Sequence, residues 1–507
     1  MYTENKIYLG LADDRRIYMN LNMCNRHGII TGASGTGKTV SMKVLAEAFS
    51  DAGVPVFLCD IKGDVSGLCQ PGEKTENMEK RIDRFGIRDS FTYRAYPTTF
   101  WDIYGEKGHC VRATISDMGP ELLSRILDLT PAQEGVLNIV FRIADDNNLE
   151  LIDLKDLKST LNYVNDHKDV FITTYGNITT ASVGAVIRSL IPLENQGGEL
   201  FFGEPAMDIH DWIRTTYDGK GMINILDSVR LSQNPTLYAF FLLWMMSSLY
   251  EKLPEVGDLD KPKLVFFFDE AHMLFSNAPK ALVQKIEQVV KLIRSKGVGI
   301  FFVTQSPSDI PDNVLAQLSN KIQHALRAYT PKEQKAIKAA AQSFRPNDAF
   351  KTEEVIQQLG VGEALVSVLD EDGIPTIVEY TKIICPQSLM AQASDSYREN
   401  SFKSDGMNRY DSYVDNESAY ELIQKMKEEE EEIARIEEEQ KALEKEKAIK
   451  QKQLEKQRAA YEKQKEKEKA AAKRKQQRIV NKLENAAINT GISILKRGIL
   501  NTLKNWQ

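Results

Sequence analysis

Eight consecutive residues near the start of the chain have the types and order of a phosphate-binding loop. They are Gly32, Ala33, Ser34, Gly35, Thr36, Gly37, Lys38 and Thr39. The apolar segment 28–31 precedes them and a helical pattern over 40–49 follows, which is the context that this motif requires. In such a loop, backbone N–H groups and the helix N-terminus surround the phosphates, Lys38 reaches the β- and γ-phosphates, and the Thr39 hydroxyl ligates Mg²⁺. The sequence therefore predicts binding of a nucleoside triphosphate.

Two acids that follow the apolar segment 264–268 form a second candidate group. Asp269, at the end of this predicted strand, can hold Mg²⁺ through water, and Glu270 can take a proton from an attacking water molecule. The alternative is a strand that merely ends in two solvated acids, which the phosphate loop disfavours. The combination favours a hydrolase over a small-molecule kinase, because a kinase must suppress attack by water.

Three other polar residues are candidates for contact with the γ-phosphate. Gln305 follows the predicted strand 298–303, where its side chain can sense that phosphate. Arg294 ends the predicted helix 280–294, and it either neutralises the helix C-terminus or acts as an arginine finger on a neighbouring subunit. Arg327 is a second finger candidate.

Asp60, Asp64 and His272 have no single predicted role. Asp60 and Asp64 follow the strand predicted for 54–59, where they can join the outer ligand shell of Mg²⁺. Capping of a helix by Asp64 is an equally good interpretation. For His272 we expect a structural or supporting role rather than a catalytic one.

The elements that must position these residues alternate between short apolar strands and helical patterns. This alternation predicts an α/β fold in which helices cover a mainly parallel sheet. The predicted core comprises residues 1–115, which begin with a hairpin, and residues 216–386, which end with strands at 363–369 and 375–380. The remaining segments are a mainly helical insertion (116–215), a linker (387–416), a charged helical tail (417–478) and a basic amphipathic segment (479–507).

Composition limits the classes of function. A chain of 507 residues has room for two or three domains, and its net charge of −7 gives no broad basic face for nucleic acid, so any such binding must be local. The five cysteines are scattered without metal-site spacing, which indicates reduced thiols. With neither a signal peptide nor an apolar run that could span a bilayer, we expect a cytoplasmic protein without a transmembrane segment.

The end of the sequence is highly charged, with an acidic stretch at 411–440 and a basic one at 451–507. Apolar residues in the predicted tail are too sparse for a regular heptad seam, so a long solvated helix with Glu–Lys pairs is favoured over a coiled coil. The segment 479–507 has apolar residues at helical spacing. This stripe could dock onto the core, a partner or an anionic membrane, and docking onto protein is the expectation.

These motifs together resemble those of the HerA–FtsK superfamily, and more narrowly those of the YjgR-type HerA-like ATPases. The resemblance covers roughly residues 5–385 and the charged tail. The matching segments are 31–39, 59–64, 268–272 and 294–307, together with 175–177, 194–198 and 202–205 in the insertion.

The resemblance implies a RecA-like P-loop core, usually assembled as a hexameric ring, with ATP and Mg²⁺ bound at subunit interfaces. It implies the roles given above for the loop, the acid pair and Gln305, and it favours Arg294 as the finger that acts in trans. HerA itself has an N-terminal β-barrel that serves assembly and nuclease docking, whereas about 25 residues precede the core here. A partnership with a nuclease or another effector protein is therefore an open question.

Two functional hypotheses follow. The first is an ATP-hydrolysing ring motor, similar to helicases and translocases, through which double-stranded DNA passes. The second is an ATP-gated scaffold that presents its C-terminal tail to a protein or membrane partner without moving DNA. Residues 1–400 carry a net charge of −11, since the chain totals −7 and residues 401–507 sum to +4, and this acidic core mildly favours the second hypothesis. The resemblance favours the first.

Overall fold

The computed structural model describes residues 2–257, 259–276 and 278–465. The predicted basic segment 479–507 and the end of the predicted tail lie outside the described residues. The chain divides into two compact units. The first contains the chain up to Glu134 together with Gly184–Asp415, and the second contains Gly135–Val183 together with the described chain from Asn416 onward.

The first unit is built on one mixed sheet, to which thirteen strands of the described chain contribute. The strands are β1 (Tyr2–Thr3), β2 (Lys6–Ala12), β3 (Arg15–Asn20), β4 (Gly28–Thr31), β5 (Val56–Asp60), β6 (Thr98–Asp102), β7 (His109–Cys110), β8 (Ile223–Asp227), β9 (Leu264–Phe268), β10 (Val298–Thr304), β11 (Asn320–Gln323), β12 (Glu363–Ser367) and β13 (Glu379–Ile383). Their spatial order is β1-β2-β13-β12-β11-β4-β10-β9-β5-β8-β6-β7, with β3 beside β2. Neighbours from β11 to β7 are parallel, whereas the pairs on the other side of β11 are antiparallel.

Helices connect these strands and form most of the insertion. They are α1 (Lys38–Asp51), α2 (Glu76–Arg84), α3 (Ile115–Ile126), α4 (Pro131–Asp146), α5 (Leu154–Asp166), α6 (Lys168–Tyr175), α7 (Thr180–Asn195), α8 (Gly198–Phe201), α9 (Pro235–Lys252), α10 (Lys280–Leu292), α11 (Asp312–Leu315), α12 (Pro331–Gln342), α13 (Thr352–Gln358), α14 (Asp395–Ser404) and α15 (Ala419–Lys465). Among these described helices, no single one has the length and apolar character needed to cross a membrane. The bent pair α6 and α7 meets that test together, by length and composition only.

The central strands are buried along their whole length, as expected for parallel strands covered on both faces. Phe267 of β9 stacks on Phe301 of β10 with ring centroids 5.2 Å apart. Phe49 of α1 packs against both rings, at 6.2 and 6.0 Å. The helix that follows the predicted phosphate loop is therefore anchored on the two strands that carry the other candidate residues.

The predicted α/β fold with a mainly parallel sheet is confirmed, and the segments 28–31, 54–59, 264–268 and 298–303 named above correspond to β4, β5, β9 and β10. The strand predicted at 375–380 is wrong, because the last strand begins at Glu379. Asp370 accepts hydrogen bonds from the backbone N–H groups of Asp372 and Ile374, which folds this stretch into a hairpin turn. Pro375 pairs with Leu369 at the base of that turn.

Residues 387–415 of the predicted linker contain α14 and belong to the first unit, and we call them the strap. At its start, Glu47 of α1 accepts hydrogen bonds from the N–H groups of Gln387 and Ser388, at 2.8 and 2.9 Å. Lys43, also on α1, donates to the carbonyl of Leu389 at 2.9 Å. Buried charged side chains of α1 therefore hold this polar segment in place.

The later part of the strap surrounds His109 of β7, which is fully buried. Its Nδ1 lies 2.6 Å from Asp411 Oδ1, and its Nε2 lies 3.0 Å from both carboxylate oxygens of Asp405. The ring also stacks on Phe402, with centroids 4.1 Å apart. Burial opposes the charge, but the hydrogen bonds to the two carboxylates outweigh it and raise the pKa of His109 above its ordinary value.

We expect this cluster to make the stability of the first unit depend on pH. The pKa of His109 is raised in the folded chain, so its contribution is complete below the unfolded-state pKa of about 6.5 and is lost as pH rises through the folded-state pKa. His109→Gln should cost about 3 kcal/mol at the acidic end, because it removes the cation between two carboxylates. Chemical unfolding of both proteins between about pH 6 and pH 9 measures this difference, which should shrink as pH rises. A difference that does not change with pH would show that His109 is neutral.

In the second unit, α15 packs along α5. Asp156 of α5 accepts hydrogen bonds from the Ser418 hydroxyl (2.6 Å) and the Tyr420 N–H (2.8 Å) at the start of α15. Further along, His167 Nε2 lies 3.1 Å from Glu430 Oε2. Beyond Glu430, the described side chains of α15 are almost all exposed, as expected for the predicted solvated helix.

Candidate nucleotide-binding site

The predicted phosphate loop connects β4 to α1. Gly37, which precedes the first residue of α1, has a left-handed backbone with φ of 113°. A Cβ atom on Gly32 would lie 2.5 Å from the Cβ of His324, so this position has no room for a side chain. The Lys38 ammonium is folded over the loop and donates to the carbonyls of Gly32 (2.6 Å) and Ala33 (3.2 Å). The loop thus has the tight, glycine-dependent path that lets N–H groups point toward phosphates.

Residues from the antiparallel side of the sheet support this loop. His324, just after β11, lies 2.8 Å through Nε2 from the Ser41 hydroxyl of α1 and 2.9 Å through Nδ1 from the carbonyl of Glu363. The N–H of Gly362 donates to the carbonyl of Thr36 at 3.0 Å. Burial lowers the pKa of His324 to about 4, so its ring is neutral at physiological pH. His324 was not among the predicted site residues, because a single histidine after a strand has no distinguishing pattern.

The predicted acid pair lies at the same edge of the sheet as the loop. β9 is separated from β4 by β10 alone, and because the three strands are parallel their carboxyl ends meet at one edge. Asp269 follows β9 and is 2% exposed. Burial raises the pKa of Asp269 to about 6. Its Oδ2 is buried and has no hydrogen-bond partner among the described residues.

Glu270 is held by groups from three parts of the chain. Its Oε1 forms an ion pair with the ammonium of Lys62, which lies in the loop after β5. Its Oε2 lies 3.1 Å from His272 Nδ1 and 3.5 Å from Gln305 Nε2. Burial opposes ionisation, but the hydrogen bond and charge of Lys62 outweigh it and lower the pKa of Glu270. Its backbone has φ of 46°, an unfavourable conformation for a residue other than glycine and one often found at functional sites.

The loop after β5 reaches the phosphate loop through Asp64, whose Oδ2 lies 3.5 Å from the Thr39 hydroxyl. Asp60 accepts hydrogen bonds from the N–H groups of Gly63 (2.7 Å) and Val65 (3.2 Å), which fixes the path of this loop. Burial, and then the charge of Asp64, raise the pKa of Asp60 to about 7. The interpretation of Asp64 as a helix cap is wrong, because the short helix that follows has Val65 at its N-cap and no capping side chain.

The donors near Thr39 fit a magnesium ion. The Thr39 hydroxyl, Asp64 and Asp269 supply oxygen atoms, which Mg²⁺ prefers, and both Asp64 Oδ1 and Asp269 Oδ2 are buried without a hydrogen-bond partner in the described chain. A buried carboxylate oxygen without a partner is costly unless a cation binds it. The described residues contain no group of three or more His, Cys, Asp or Glu side chains that could hold a metal by themselves. Mg²⁺ in phosphate sites needs no such group, since one or two carboxylates, water and phosphate oxygens complete its shell.

The two arginine candidates lie at opposite ends of the parallel strands. Arg327 follows β11 at its carboxyl end and lines a cleft of about 350 Å³ together with Ala33 and Gln305. Its guanidinium donates to the carbonyls of Gln357 and Leu359 at the end of α13.

Arg294 precedes β10, in the short helix Ile293–Lys296, and therefore lies at the amino end of that strand. Seven residues of β10 span about 20 Å, so Arg294 does not reach the phosphate loop of its own chain.

The structure thus brings Lys38, Thr39, Asp269, Glu270 and Gln305 to one edge and places Arg294 elsewhere. It adds Lys62, which sequence reasoning did not select. Lys62 lies within the segment 59–64 that carries the resemblance, but no local pattern indicates its ion pair with Glu270, because the two residues come from loops far apart in sequence.

The phosphate loop follows β4, the acid pair follows β9, and Gln305 follows β10, which lies between those two strands. This arrangement defines a P-loop nucleotide hydrolase. Comparison with known proteins agrees with this class. The family model described as helicase HerA-like C-terminal matches residues 7–506, so the chain belongs to this family of P-loop ATPases. It is an ATP hydrolase.

Two relatives of the chain share the name DNA double-strand break repair helicase HerA. The chain is 22% identical over 401 residues to the DNA double-strand break repair helicase HerA of Sulfurisphaera tokodaii, covering 75% of this chain and 70% of the relative. It is 22% identical over 390 residues to the protein of the same name from Sulfolobus acidocaldarius, covering 73% and 68%. Among solved structures, plasmid coupling protein TrwB with a GTP analogue matches with a TM-score of 0.51 at 13% identity, covering 77% of this chain and 93% of that chain. The predicted RecA-like fold is thereby confirmed.

Proposed function

We propose that this protein is a Mg²⁺-dependent ATPase motor that assembles as a ring and moves double-stranded DNA. The resemblance to HerA-like ATPases implies that the ring is a hexamer. The observation that carries the proposal is the meeting, at one sheet edge, of the phosphate loop with a buried acid pair whose Asp269 has an unsatisfied oxygen. The names of the curated relatives support DNA as the substrate that is moved.

In this proposal each residue has a task that its position supports. The loop N–H groups and Lys38 bind the phosphates, and Thr39 and Asp269 would hold Mg²⁺ with help from Asp64. The ion would neutralise phosphate charge and orient the terminal phosphate. Glu270 is ionised, since its pKa is not raised by its surroundings, and it accepts the proton of the attacking water. Gln305, which lies 3.5 Å from Glu270, senses the terminal phosphate.

Glu270→Gln should bind ATP and fail to hydrolyse it. The amide keeps the size of the side chain but cannot take a proton, so the rate should fall about 10²- to 10⁴-fold. Release of inorganic phosphate and binding of a fluorescent ATP analogue measure the two properties separately. Lys38→Ala is the control, since it should lose binding as well. Hydrolysis by Glu270→Gln at the wild-type rate would remove Glu270 from the mechanism.

Arg294 is the candidate finger for the site of a neighbouring subunit. It lies at the amino edge of the sheet, away from its own site, so a direct catalytic role requires a second chain. Arg327 lines its own cleft, which supports a role within the same subunit.

We expect Arg294→Ala to bind ATP normally and to lose hydrolysis about 10³-fold in assembled particles, because the charge of the transferring phosphoryl group is no longer stabilised. Mixing Arg294→Ala with Glu270→Gln subunits provides the test. Mixed rings contain interfaces with an intact Arg294 and an intact Glu270, so they should recover part of the activity that each variant lacks alone. Absence of recovery in particles shown to be mixed would contradict action in trans.

The second hypothesis, an ATP-gated scaffold, is favoured by α15, whose start is fixed on α5 while the rest of its described length is exposed. An ATPase assay with and without duplex DNA at two salt concentrations separates the hypotheses. A translocase should be stimulated by DNA, and the stimulation should weaken steeply with salt as phosphate contacts are screened. No stimulation at either salt concentration, together with capture of a partner that requires residues 417–507, would support the scaffold. A nuclease or other effector as that partner stays a prediction.

A further inference from the structure

Lys62 belongs to the loop that approaches the predicted phosphate loop through Asp64. It lies in the loop after β5, two residues before Asp64, and Asp64 lies 3.5 Å from the Thr39 hydroxyl of the phosphate loop. Asp60 fixes the backbone of this loop through the N–H groups of Gly63 and Val65. The loop therefore extends from β5 to the phosphate loop, and Lys62 is part of that connection.

The ion pair of Lys62 with Glu270 is one that a competing anion can replace. The Lys62 side chain is 41% exposed, whereas that of Glu270 is 7% exposed. A lysine ammonium is a compact charge on a flexible stem, and a pair that water reaches contributes little to stability. The triphosphate group of a nucleotide carries several negative charges. It therefore attracts the Lys62 ammonium more strongly than a single carboxylate does.

The charge of Lys62 acts on Lys38, the lysine of the predicted phosphate loop. Burial lowers the pKa of Lys38, and the positive charge of Lys62 adds to this effect, while Glu270 opposes it. Lys62, Lys38 and Glu270 therefore lie close enough to interact. A phosphate group that binds Lys38 enters the range of the Lys62 charge.

We propose that Lys62 binds the terminal phosphate of ATP and that it leaves Glu270 to do so. Lys62 thus distinguishes ATP from ADP, and its departure frees the Glu270 carboxylate to accept the proton of water when the terminal phosphate is in place. The inference rests on the proposed function of Glu270 and of the phosphate loop. It assigns to Lys62 a contact with one phosphate of the nucleotide.

The test compares the affinities of a non-hydrolysable ATP analogue and of ADP, each with Mg²⁺, by calorimetric titration. Lys62→Met should weaken binding of the analogue about tenfold and leave ADP unchanged, because ADP lacks the phosphate that Lys62 contacts. Lys62→Arg should keep most of the preference for the analogue. Lys107→Met is the matched control, since Lys107 is 48% exposed and pairs with Asp227, the last residue of β8, at 3.2 Å. This control should change neither affinity.

A double-mutant cycle tests the exchange itself. In Glu270→Gln, Lys62 has no carboxylate partner, so no ion pair must be broken before it binds the phosphate. This variant should therefore bind the analogue several-fold more tightly than the wild-type protein does. The same substitution in the Lys62→Met background should have no such effect. Thermal unfolding of each variant confirms that the chain is folded.

The possible failures are distinguishable. If Lys62→Met changes the affinities for the analogue and ADP equally, or changes neither, the inference is wrong and the proposed function stands. If Glu270→Gln tightens analogue binding equally with and without Lys62, the exchange is wrong. If the folded wild-type chain binds neither nucleotide, the proposed function fails and the inference fails with it.

Discussion

The feature on which the site depends is the crowding of carboxylates at the carboxyl edge of the sheet. Asp60, Asp64, Asp269 and Glu270 lie near one another there, and burial raises the pKa of Asp60 to about 7 and that of Asp269 to about 6. Burial of like charges costs folding free energy, so other contacts must hold them. Backbone N–H groups stabilise Asp60 and Lys62 stabilises Glu270, whereas Asp64 and Asp269 each keep one unsatisfied oxygen. Those two oxygens are the ones that a bound cation would stabilise.

Helix α1 keeps the phosphate loop in register with these acids. Phe49 packs it against β9 and β10, and Ser41 connects it through His324 to the antiparallel strands. Glu47 and Lys43 connect it to the strap. Because contacts on three sides fix the helix, the loop that opens it has little freedom, and binding loses less conformational entropy when a site is already ordered. The same contacts make the strap part of the support for the site.

Sequence reasoning predicted what local patterns determine. The loop 32–39 and the acids after β9 are recognisable because a strand that ends in such residues places them at one edge of a parallel sheet. It did not predict Lys62 or His324, whose partners are distant in the sequence, so that only the folded chain brings them together. The strap was predicted as a linker for a similar reason. Its composition is polar, and its order comes from His109, Glu47 and Lys43, which lie hundreds of residues earlier.

The positions of the two arginines have a consequence for assembly. The candidate nucleotide site lies at the carboxyl ends of the parallel strands, and Arg294 lies at the amino end of β10. An isologous interface uses the same surface patch on both subunits, so it would have to include both edges at once. A heterologous interface needs one edge from each subunit, and such contacts close into a ring when the rotation between subunits permits it. If Arg294 acts on another subunit, the simplest interface is therefore heterologous, with every site completed by the next chain.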